Sequence, residues 1–399
     1  MDDRRVLHSL YSWLPQTMVW LYQQISNLHG WRSLVVCQKV ENLDQFSWVD
    51  LHYLESHGKL HVLAYKVCRA LGLRRHPRLY DMVADSFEPH VLHSHFGPQG
   101  WKDMLLAKRL GIPHVVSFYG VDVSMFPQKK EVWRKRYIEL FGHISAVLCE
   151  GPHMASCIKD LGCPSEKIHV HHLGVDLDDL PFRPRNWRPR EPLRILCAAA
   201  FREKKGLEYA VEAVGRFRSD YPDVDVRLTI IGDAIGTRSS LRIKRRILRL
   251  VNEWGLSDRT RILGFQPFNV VIEEAYRHHI FLSPSVTASD GDTEGGAPVS
   301  IIQMAATGMP VVATKHCDIP HVLAEPNREL LVSERDALGL SRSLATLASE
   351  STLWDEIACA NRRLIEQEFS VKKQGMLMAG IYNALVEGSR EIGVATALP

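Results

Sequence analysis

The sequence predicts an α/β protein with two Rossmann-like, doubly wound parallel-sheet domains that face each other across a cleft. Three observations predict this fold. Short, mostly apolar runs alternate with helical patterns along most of the chain. A stretch rich in proline and arginine, residues 183–192, interrupts the alternation near the middle. The 399 residues, of which 45% are hydrophobic, are enough for two separate cores.

The first half of the chain supplies the strands of the first domain. Each candidate is a short apolar run, and helical patterns that end in glycine and then proline lie between them, as in Leu105–Pro113. Such runs are typical of strands that are covered on both faces, which indicates a parallel sheet. The predicted strands are Val6–Leu10, Ser33–Cys37, Val91–His95, His114–Phe118, Ser145–Cys149 and Ile168–His172.

The second half repeats this organisation after the proline-rich stretch, whose prolines exclude a helix or a central strand. We therefore predict an N-terminal domain at 1–182, a linker at 183–192, a C-terminal domain at 193–369 and a final amphipathic helix within 370–399. Ligands of such sheets bind beyond the carboxyl ends of the strands. The predicted strands of the second domain are Leu193–Cys197, Val226–Ile231, Thr260–Leu263, His279–Ser283, Pro310–Thr314 and Glu329–Val332.

Composition excludes several classes of protein. The formal net charge of +3 argues against a dedicated nucleic-acid-binding protein. No apolar run is long enough to span a bilayer, and Met1–Arg5 lack the apolar segment of a signal peptide, so we expect a cytoplasmic protein. The eight cysteines show no Cys-x-x-Cys spacing, which favours reduced thiols over disulfides or a zinc site.

The stretch Ser283–Pro320 is the most informative part of the chain. A buried strand ends at its start, and Glu294-Gly-Gly-Ala-Pro298 leads into a helical pattern over 299–306. The two glycines let the backbone approach a ligand, Pro298 suits a first helical position, and the N–H groups of a helix N-terminus suit an anion. A carboxylate at Glu294 suits hydroxyl groups. The pattern predicts a ligand with both sugar hydroxyls and a diphosphate.

This stretch resembles the donor-binding signature of family 4 glycosyltransferases, which have the GT-B fold. That signature is Glu-Gly-x-Pro, a second glutamate, and then Ala-x-Gly-x-Pro-Val-Val-Ala. Two departures are present here, since one extra residue precedes Pro298 and Gln303 replaces the second glutamate. Together, His93–Gly97, Ser117–Asp122 and Asp292–Pro298 resemble in particular bacterial exopolysaccharide and colanic-acid-type enzymes.

The resemblance implies an activity. We expect retaining, metal-independent transfer of a hexose from a nucleotide-diphosphate sugar to a glycan or polyprenyl-linked glycan in polysaccharide biosynthesis. No cofactor is implied, because the nucleotide sugar is a co-substrate. The N-terminal domain would bind the acceptor, the C-terminal domain would bind the nucleotide sugar, and the helix within 370–399 would pack back on the N-terminal domain.

A basic turn, Phe201–Leu207, follows the first strand of the second domain. It resembles the family's Arg-x-x-x-Lys-Lys-Gly turn, whose cations hold the diphosphate where no magnesium neutralises it. Lys205 matches this pattern, whereas Ala200 replaces the family arginine and Arg202 is the candidate substitute. A solvated basic turn is the alternative. The predicted donor-binding residues are Arg202, Lys205, Glu294, Gly295, Gly296, Ala297, Pro298 and Gln303.

The segment Phe118–Asp122 resembles the family's Thr-Phe-His-Gly-x-Asp loop, in which the histidine lies beside the transferred sugar. Tyr119 replaces that histidine, which suits a mechanism in which the leaving phosphate oxygen takes the acceptor's proton. Asp122 is the candidate for orienting the acceptor or, alternatively, a helix cap. His95 is a further candidate at the end of its strand. The predicted catalytic residues are Glu294, Lys205, Tyr119, Asp122 and His95.

Two patterns suggest metal sites, and for both we favour another interpretation. His93 and His95 share one face of a strand, but no acidic or cysteine partner at a suitable spacing is visible, so packing or lining of the cleft is favoured. Asp290 and Asp292 resemble the Asp-x-Asp motif of the other glycosyltransferase fold, yet a polar loop fits their context better. We predict no metal.

Two basic stretches are candidates for contact with an anionic membrane. Arg238–Trp254 has the pattern of an amphipathic helix, for which an ordinary surface helix is the favoured interpretation. Lys66–Arg78 is the better candidate and would place the protein at the inner face of the plasma membrane.

Two other functions stay open. One is a nucleotide-sugar epimerase of the same fold. The other is a degenerate, non-catalytic partner subunit, which the changes at Tyr119, Ala200 and Gln303 motivate.

Overall fold

The computed structural model describes residues 4–15, 18–73 and 75–396. The chain divides into two compact units, of which the first comprises Met1–Gly174 and Val371–Pro399 and the second comprises Val175–Ser370. The sequence placed the change of domain at 183–192, whereas the structure divides the chain at Val175. The segment 183–192 lies within the second unit.

Each unit contains a parallel sheet, as the sequence predicted. In the first unit the strands are β1 (Arg5–Ser9), β2 (Ser12–Trp13), β3 (Arg32–Cys37), β4 (Lys39–Val40), β5 (Leu51–Tyr53), β6 (Val91–His95), β7 (His114–Ser117), β8 (Ala146–Cys149) and β9 (Ile168–Val170). In the second unit they are β10 (Leu193–Ala198), β11 (Val226–Ile231), β12 (Thr260–Ile262), β13 (Ile280–Ser283) and β14 (Val311–Ala313).

Helices connect these strands. They are α1 (Val19–Ser26), α2 (Lys59–Ala70), α3 (Arg78–Phe87), α4 (Gly97–Leu110), α5 (Met125–Lys129), α6 (Glu131–His143), α7 (Pro152–Asp160), α8 (Leu207–Asp220), α9 (Arg238–Glu253), α10 (Phe268–Tyr276), α11 (Val299–Ala306), α12 (Ala337–Ser349), α13 (Leu353–Glu368) and α14 (Val371–Thr396). Short 3-10 turns include Glu203–Lys205 and Asn327–Leu330.

The strand order determines where each sheet can bind a ligand. The seven-stranded sheet has the order β5-β3-β1-β6-β7-β8-β9, and the five-stranded sheet has the order β12-β11-β10-β13-β14. The direction of the chain path reverses between β1 and β6 in the first sheet and between β10 and β13 in the second. Ligands of such sheets bind at these switch points, beyond the carboxyl ends of the two strands.

One predicted strand is absent, and the short strands β2, β4 and β5 were not predicted. Glu329–Val332 is not a strand, because Asn327–Leu330 forms a 3-10 turn and only an isolated bridge joins Val332 to Thr314. The sequence signal there was a short apolar run, and the turn buries Leu330 and Leu331 without a ladder. The edge strand β5 was missed because its residues are half-exposed or exposed and show no apolar run.

Chain segments from outside each sheet complete its core. In the first unit α14 packs Met378 and Tyr382 against Val6, Val91 and Val115. In the second unit the segment 183–192 packs closely. The Arg185 guanidinium donates to the Thr307 carbonyl at 2.9 Å, and Trp187 belongs to the core beside β10.

Candidate active site

In the second unit, the chain segments that leave β10 and β13 meet at the switch point. Gly206 makes this close approach feasible, because its φ of 60° suits glycine and a Cβ there would lie 1.9 Å from the Pro284 carbonyl oxygen. The 3-10 turn Glu203–Lys205 therefore lies against the loop that follows β13. That loop carries Asp292 and Glu294.

The central contact of this site joins Lys205 to Glu294. The Lys205 ammonium donates to Oε2 of Glu294 at 2.8 Å, and the Ser285 hydroxyl donates to Oε1 at 2.8 Å. Burial alone would raise the pKa of Glu294, but Lys205 and Lys204 outweigh it and lower the pKa from 4.5 to about 2. The carboxylate is therefore ionised and held in one orientation, although it is almost fully buried.

The two other cations of the turn bind Asp292. Arg202 donates to Oδ2 at 2.5 Å, and the buried Lys204 donates to Oδ1 at 3.3 Å and to the Thr293 carbonyl at 2.7 Å. Asp290 is exposed, and its carboxylate accepts the Asp292 backbone N–H at 3.1 Å. These contacts support the interpretation of Asp290 and Asp292 as a charged loop that the basic turn holds in place.

The glycine turn continues from Glu294 into α11. Gly295 has a φ of 81°, and the four residues from Gly295 to Pro298 are buried. The helix begins at Val299, as the sequence predicted, and Pro298 occupies its N-cap position and not the first helical position. Gln303 lies in the second turn of α11 and is 8% exposed. Glu294–Pro298 thus form one continuous buried segment, and the buried Gln303 lies further along α11.

A histidine supports this segment from outside the predicted set. The Glu294 backbone N–H donates to Nε2 of His316 at 3.1 Å, and Nδ1 of His316 lies 2.6 Å from Oε1 of Glu334. His316 follows β14, the neighbour of β13 in the sheet. No local sequence signal indicates this role, since the contact depends on strand order.

In the first unit, the switch point carries a chain of rings. Nδ1 of His8 lies 3.1 Å from Nε2 of His95, and Nδ1 of His95 lies 2.7 Å from the Tyr119 hydroxyl. Burial lowers the pKa of His8 to about 3, lowers that of His95 well below its ordinary value and raises that of Tyr119. The chain is therefore neutral at physiological pH. It brings the predicted Tyr119 and His95 together and adds His8.

Asp122 lies beside this chain of rings, and its carboxylate accepts hydrogen bonds from backbone N–H groups. Oδ2 accepts the N–H of Gly97 at 2.9 Å, and Oδ1 accepts that of Tyr119 at 3.0 Å. Complete burial raises the pKa of Asp122 to about 6, against the opposing effect of these bonds. This geometry favours a role in bracing the Tyr119 loop against the start of α4, and a role in orienting the acceptor stays a prediction.

His93 has its own partners in the first unit. Its Nδ1 lies 2.5 Å from the Tyr382 hydroxyl and its Nε2 lies 2.8 Å from the Ser117 hydroxyl. Within the described residues, one group of three or more metal-ligating side chains has a suitable spacing, and it consists of His8, His93 and His95. Because both nitrogens of His93 already have hydroxyl partners, the contacts fit packing better than a metal site.

Comparison with known proteins identifies the family. A model described as "Glycosyltransferase Family 4" matches residues 21–179, and one described as "Glycosyl transferases group 1" matches residues 192–350. A protein of Escherichia coli K12 that is provisionally named a colanic acid biosynthesis glycosyltransferase is 33% identical over 312 residues, which cover 76% of this chain and 72% of that protein. The chain belongs to the family 4 glycosyltransferases.

Other relatives of this glycosyltransferase have related names. The Salmonella typhimurium LT2 protein with the same provisional name is 31% identical over 360 residues, covering 83% of this chain and 84% of that one. The amylovoran biosynthesis glycosyltransferase of Erwinia amylovora is 29% identical over 286 residues, covering 71% and 67%. Both support the predicted likeness to exopolysaccharide enzymes.

Solved structures confirm the GT-B fold. An Anabaena protein crystallised in complex with UDP has a TM-score of 0.75 at 15% identity and covers 96% of this chain and 100% of that one. Sucrose-phosphate synthase from Thermosynechococcus elongatus has a TM-score of 0.74 at 14% identity and covers 97% and 100%.

Proposed function

We propose that this glycosyltransferase is a retaining enzyme that transfers a hexose from a nucleotide-diphosphate sugar to a glycan or polyprenyl-linked glycan, without a metal ion. The observation that carries the proposal is the pair formed by the half-buried Lys205 and the buried Glu294, whose charged atoms lie 2.8 Å apart at the switch point of the second sheet. In this pair, a cation that can bind a diphosphate lies beside a carboxylate that can accept hydrogen bonds from sugar hydroxyls. The names of the relatives support a role in exopolysaccharide biosynthesis.

The proposed reaction exchanges one bond at the anomeric carbon. The bond to the diphosphate oxygen breaks and its electron pair leaves with the diphosphate. The acceptor hydroxyl oxygen bonds the same face of that carbon, and its proton passes to the departing phosphate oxygen. Lys205 and Arg202 stabilise the developing charge, because an ammonium has three N–H groups and can hold Glu294 and a phosphate oxygen together.

Glu294 is the proposed partner of the donor sugar. Its pKa of about 2 keeps it an acceptor of hydrogen bonds at every physiological pH. Gly295 and Gly296 let the backbone before α11 approach the diphosphate. A hexose of UDP is the first donor to test, since related Anabaena structures contain UDP, UDP with glucose, or UDP-glucose.

We propose that no metal ion is needed because the Asp292 carboxylate already forms ion pairs. This carboxylate is 4% exposed and already contacts Arg202 and Lys204. A divalent cation could bind Asp292 only after displacing both of them. Cations of the turn therefore take the place that a metal has in the other glycosyltransferase fold.

We also propose that the first unit binds the acceptor, and that the protein works at the inner face of the plasma membrane. Its neutral ring chain of His8, His95 and Tyr119 suits sugar hydroxyls, which carry no charge. Among the described residues no helix is long and apolar enough to cross a membrane. A polyprenyl-linked acceptor would therefore be reached from the membrane surface.

The test is a transfer assay with UDP-, GDP- and ADP-hexoses and a glycan or polyprenyl-linked acceptor. We expect nucleoside diphosphate release that depends on the acceptor, and a product whose anomeric configuration, measured by NMR, equals that of the donor. Inversion would overturn the retaining mechanism. A rearranged donor without transfer would indicate the epimerase, and inactivity with every donor would indicate the non-catalytic subunit.

A further inference from the structure

Helix α2 of the first unit turns its apolar side to solvent. Leu60 is 80% exposed, Leu63 58% and Val67 49%, and Leu71 directly after the helix is 67% exposed. Their spacing of three, four and four residues places them on one face of the helix. We call these four residues the apolar stripe. Only one residue of α2, Tyr65, is buried.

Charge along this helix has one sign. The sequence has no acidic residue between Lys59 and Tyr80, and Lys59, Lys66 and Arg69 are exposed. Lys59 and Lys66 are seven residues apart, so both flank the same edge of the apolar stripe. Arg74, a further basic residue of the predicted membrane candidate Lys66–Arg78, lies outside the described residues.

A second basic helix shows that this exposure is not a general property of such helices. Helix α9 is richer in arginine and lysine than α2, but its Ile243, Ile247 and Val251 are 4%, 0% and 7% exposed. It therefore buries its main apolar residues in its own unit and leaves its charges to water, as the favoured interpretation of Arg238–Trp254 expected. Helix α2 instead exposes its apolar residues as well as its charged ones.

We propose that the apolar stripe of α2 inserts among the headgroups and upper acyl chains of a bilayer that contains anionic lipid, with Lys59 and Lys66 on the lipid phosphates. An exposed apolar stripe with a basic edge and no acid has the chemistry of an interfacial helix. A second copy of this chain fits less well, because pairing α2 across a two-fold axis brings the same cations together. The docking surface extends the proposed reaction on a polyprenyl-linked acceptor.

The test is sedimentation of the full chain with vesicles, without donor or acceptor, so that failure here and failure of the proposed activity are distinguishable. We expect binding to vesicles with about one third phosphatidylglycerol, and much weaker binding to pure phosphatidylcholine. Leu63→Glu with Leu71→Glu should lower the partition coefficient at least about tenfold. Lys59→Gln with Lys66→Gln should lower it about fivefold per lysine.

Leu248→Glu is the matched control, because Leu248 is a 46% exposed leucine on the basic helix α9. We expect it to bind vesicles like the wild type. Circular dichroism and melting temperature should match the wild type for all variants, since the altered side chains are exposed. Vesicle binding that survives Leu63→Glu with Leu71→Glu would overturn the proposal. So would a wild-type chain that ignores vesicles but forms a dimer or binds an acidic protein through α2.

Discussion

At the switch point of the second sheet the buried side chains are charged, whereas at that of the first sheet they are neutral. Glu294 is ionised between Lys205 and Lys204. His8 and His95 occupy the corresponding place in the first unit and are buried in their neutral forms. Both sites arise from the same topology, so the difference lies in the side chains that the strand ends carry.

This difference in charge indicates which ligand each unit is suited to bind. A buried ion pair is expensive to maintain, and it is useful where a ligand with high charge must be bound and released. A chain of neutral rings cannot neutralise the charge of a diphosphate, but it can bind or orient hydroxyl groups. This difference supports the proposal that the second unit binds the donor diphosphate and the first unit binds the hydroxyl groups of the acceptor.

The largest expected effect is that of Glu294→Gln. The amide cannot neutralise Lys205 and Lys204, and it changes the hydrogen bonds offered to the donor sugar. We expect kcat/KM for transfer to fall at least about a hundredfold, the size typical of removing one placed polar group from an active site. Asp290→Asn, in the exposed part of the same loop, is the control and should retain activity. Near-normal turnover of Glu294→Gln would remove this residue from the site.

The next effect is that of Lys205→Ala. Loss of a charged hydrogen bond to the diphosphate, worth about 1.5–3 kcal/mol, should weaken donor binding by roughly 10- to 150-fold. Lys244→Ala is the matched control, because Lys244 pairs with Asp233 on the surface of the same unit at 2.7 Å. Calorimetric titration with the preferred nucleoside diphosphate measures both. Equal affinity for wild type and Lys205→Ala would contradict the assignment.

The neutral His8 of the first unit should make the free energy of unfolding depend on pH. The pKa of His8 is about 3 in the folded protein and 6.5 otherwise, so its contribution is present above pH 6.5 and is lost as the pH falls toward 3. Between about pH 7.5 and about pH 5.5 this single histidine should lower the unfolding free energy by about 1.4 kcal/mol. Denaturant unfolding at both pH values, with His8→Gln, measures the difference.

In His8→Gln the fall in stability between the two pH values should be smaller than in the wild type by that amount. The exposed His61 supplies the control, since its side chain is not buried. His61→Gln should leave the wild-type pH dependence unchanged. An unaltered pH dependence in His8→Gln would mean that His8 is not held neutral.

The smallest effect is expected at Gln303. An amide oxygen accepts a hydrogen bond from a neutral hydroxyl much as a carboxylate does, and the family pattern has glutamate there. Gln303→Glu should therefore change kcat/KM by about fivefold or less, in the direction of improvement or mild loss, which corresponds to about 1 kcal/mol. Steady-state kinetics decides this. A dead variant would show that the extra residue before Pro298 has moved this position away from the donor.

Local sequence pattern was sufficient to predict that the basic turn and the Glu294 segment lie close together. Lys205 and Glu294 were expected in one pocket because each comes after a strand, and β10 and β13 proved to be neighbours. The family motif then supplied the chemistry. The helix that follows the motif spans Val299–Ala306, the range that the sequence pattern predicted.

Contacts between distant segments of the chain could not be predicted from the sequence. Ser285 carries no motif, yet its hydroxyl binds Glu294. Tyr382 reaches His93 from α14, 289 positions along the chain, and His8 joins His95 because β1 pairs with β6. The exposed side of α2 was also beyond pattern reasoning, since only the fold shows which face of an amphipathic helix is covered.

The measurement that tests the central claim most directly is calorimetric titration of the protein with UDP in the presence of EDTA, and again with added magnesium. If Lys205, Arg202 and the segment before α11 neutralise the diphosphate, UDP should bind in EDTA with a Kd that magnesium changes little. The same affinity should fall on Lys205→Ala in both buffers. Binding that requires magnesium and ignores Lys205→Ala would contradict the account and return Asp290 and Asp292 to the role of metal ligands.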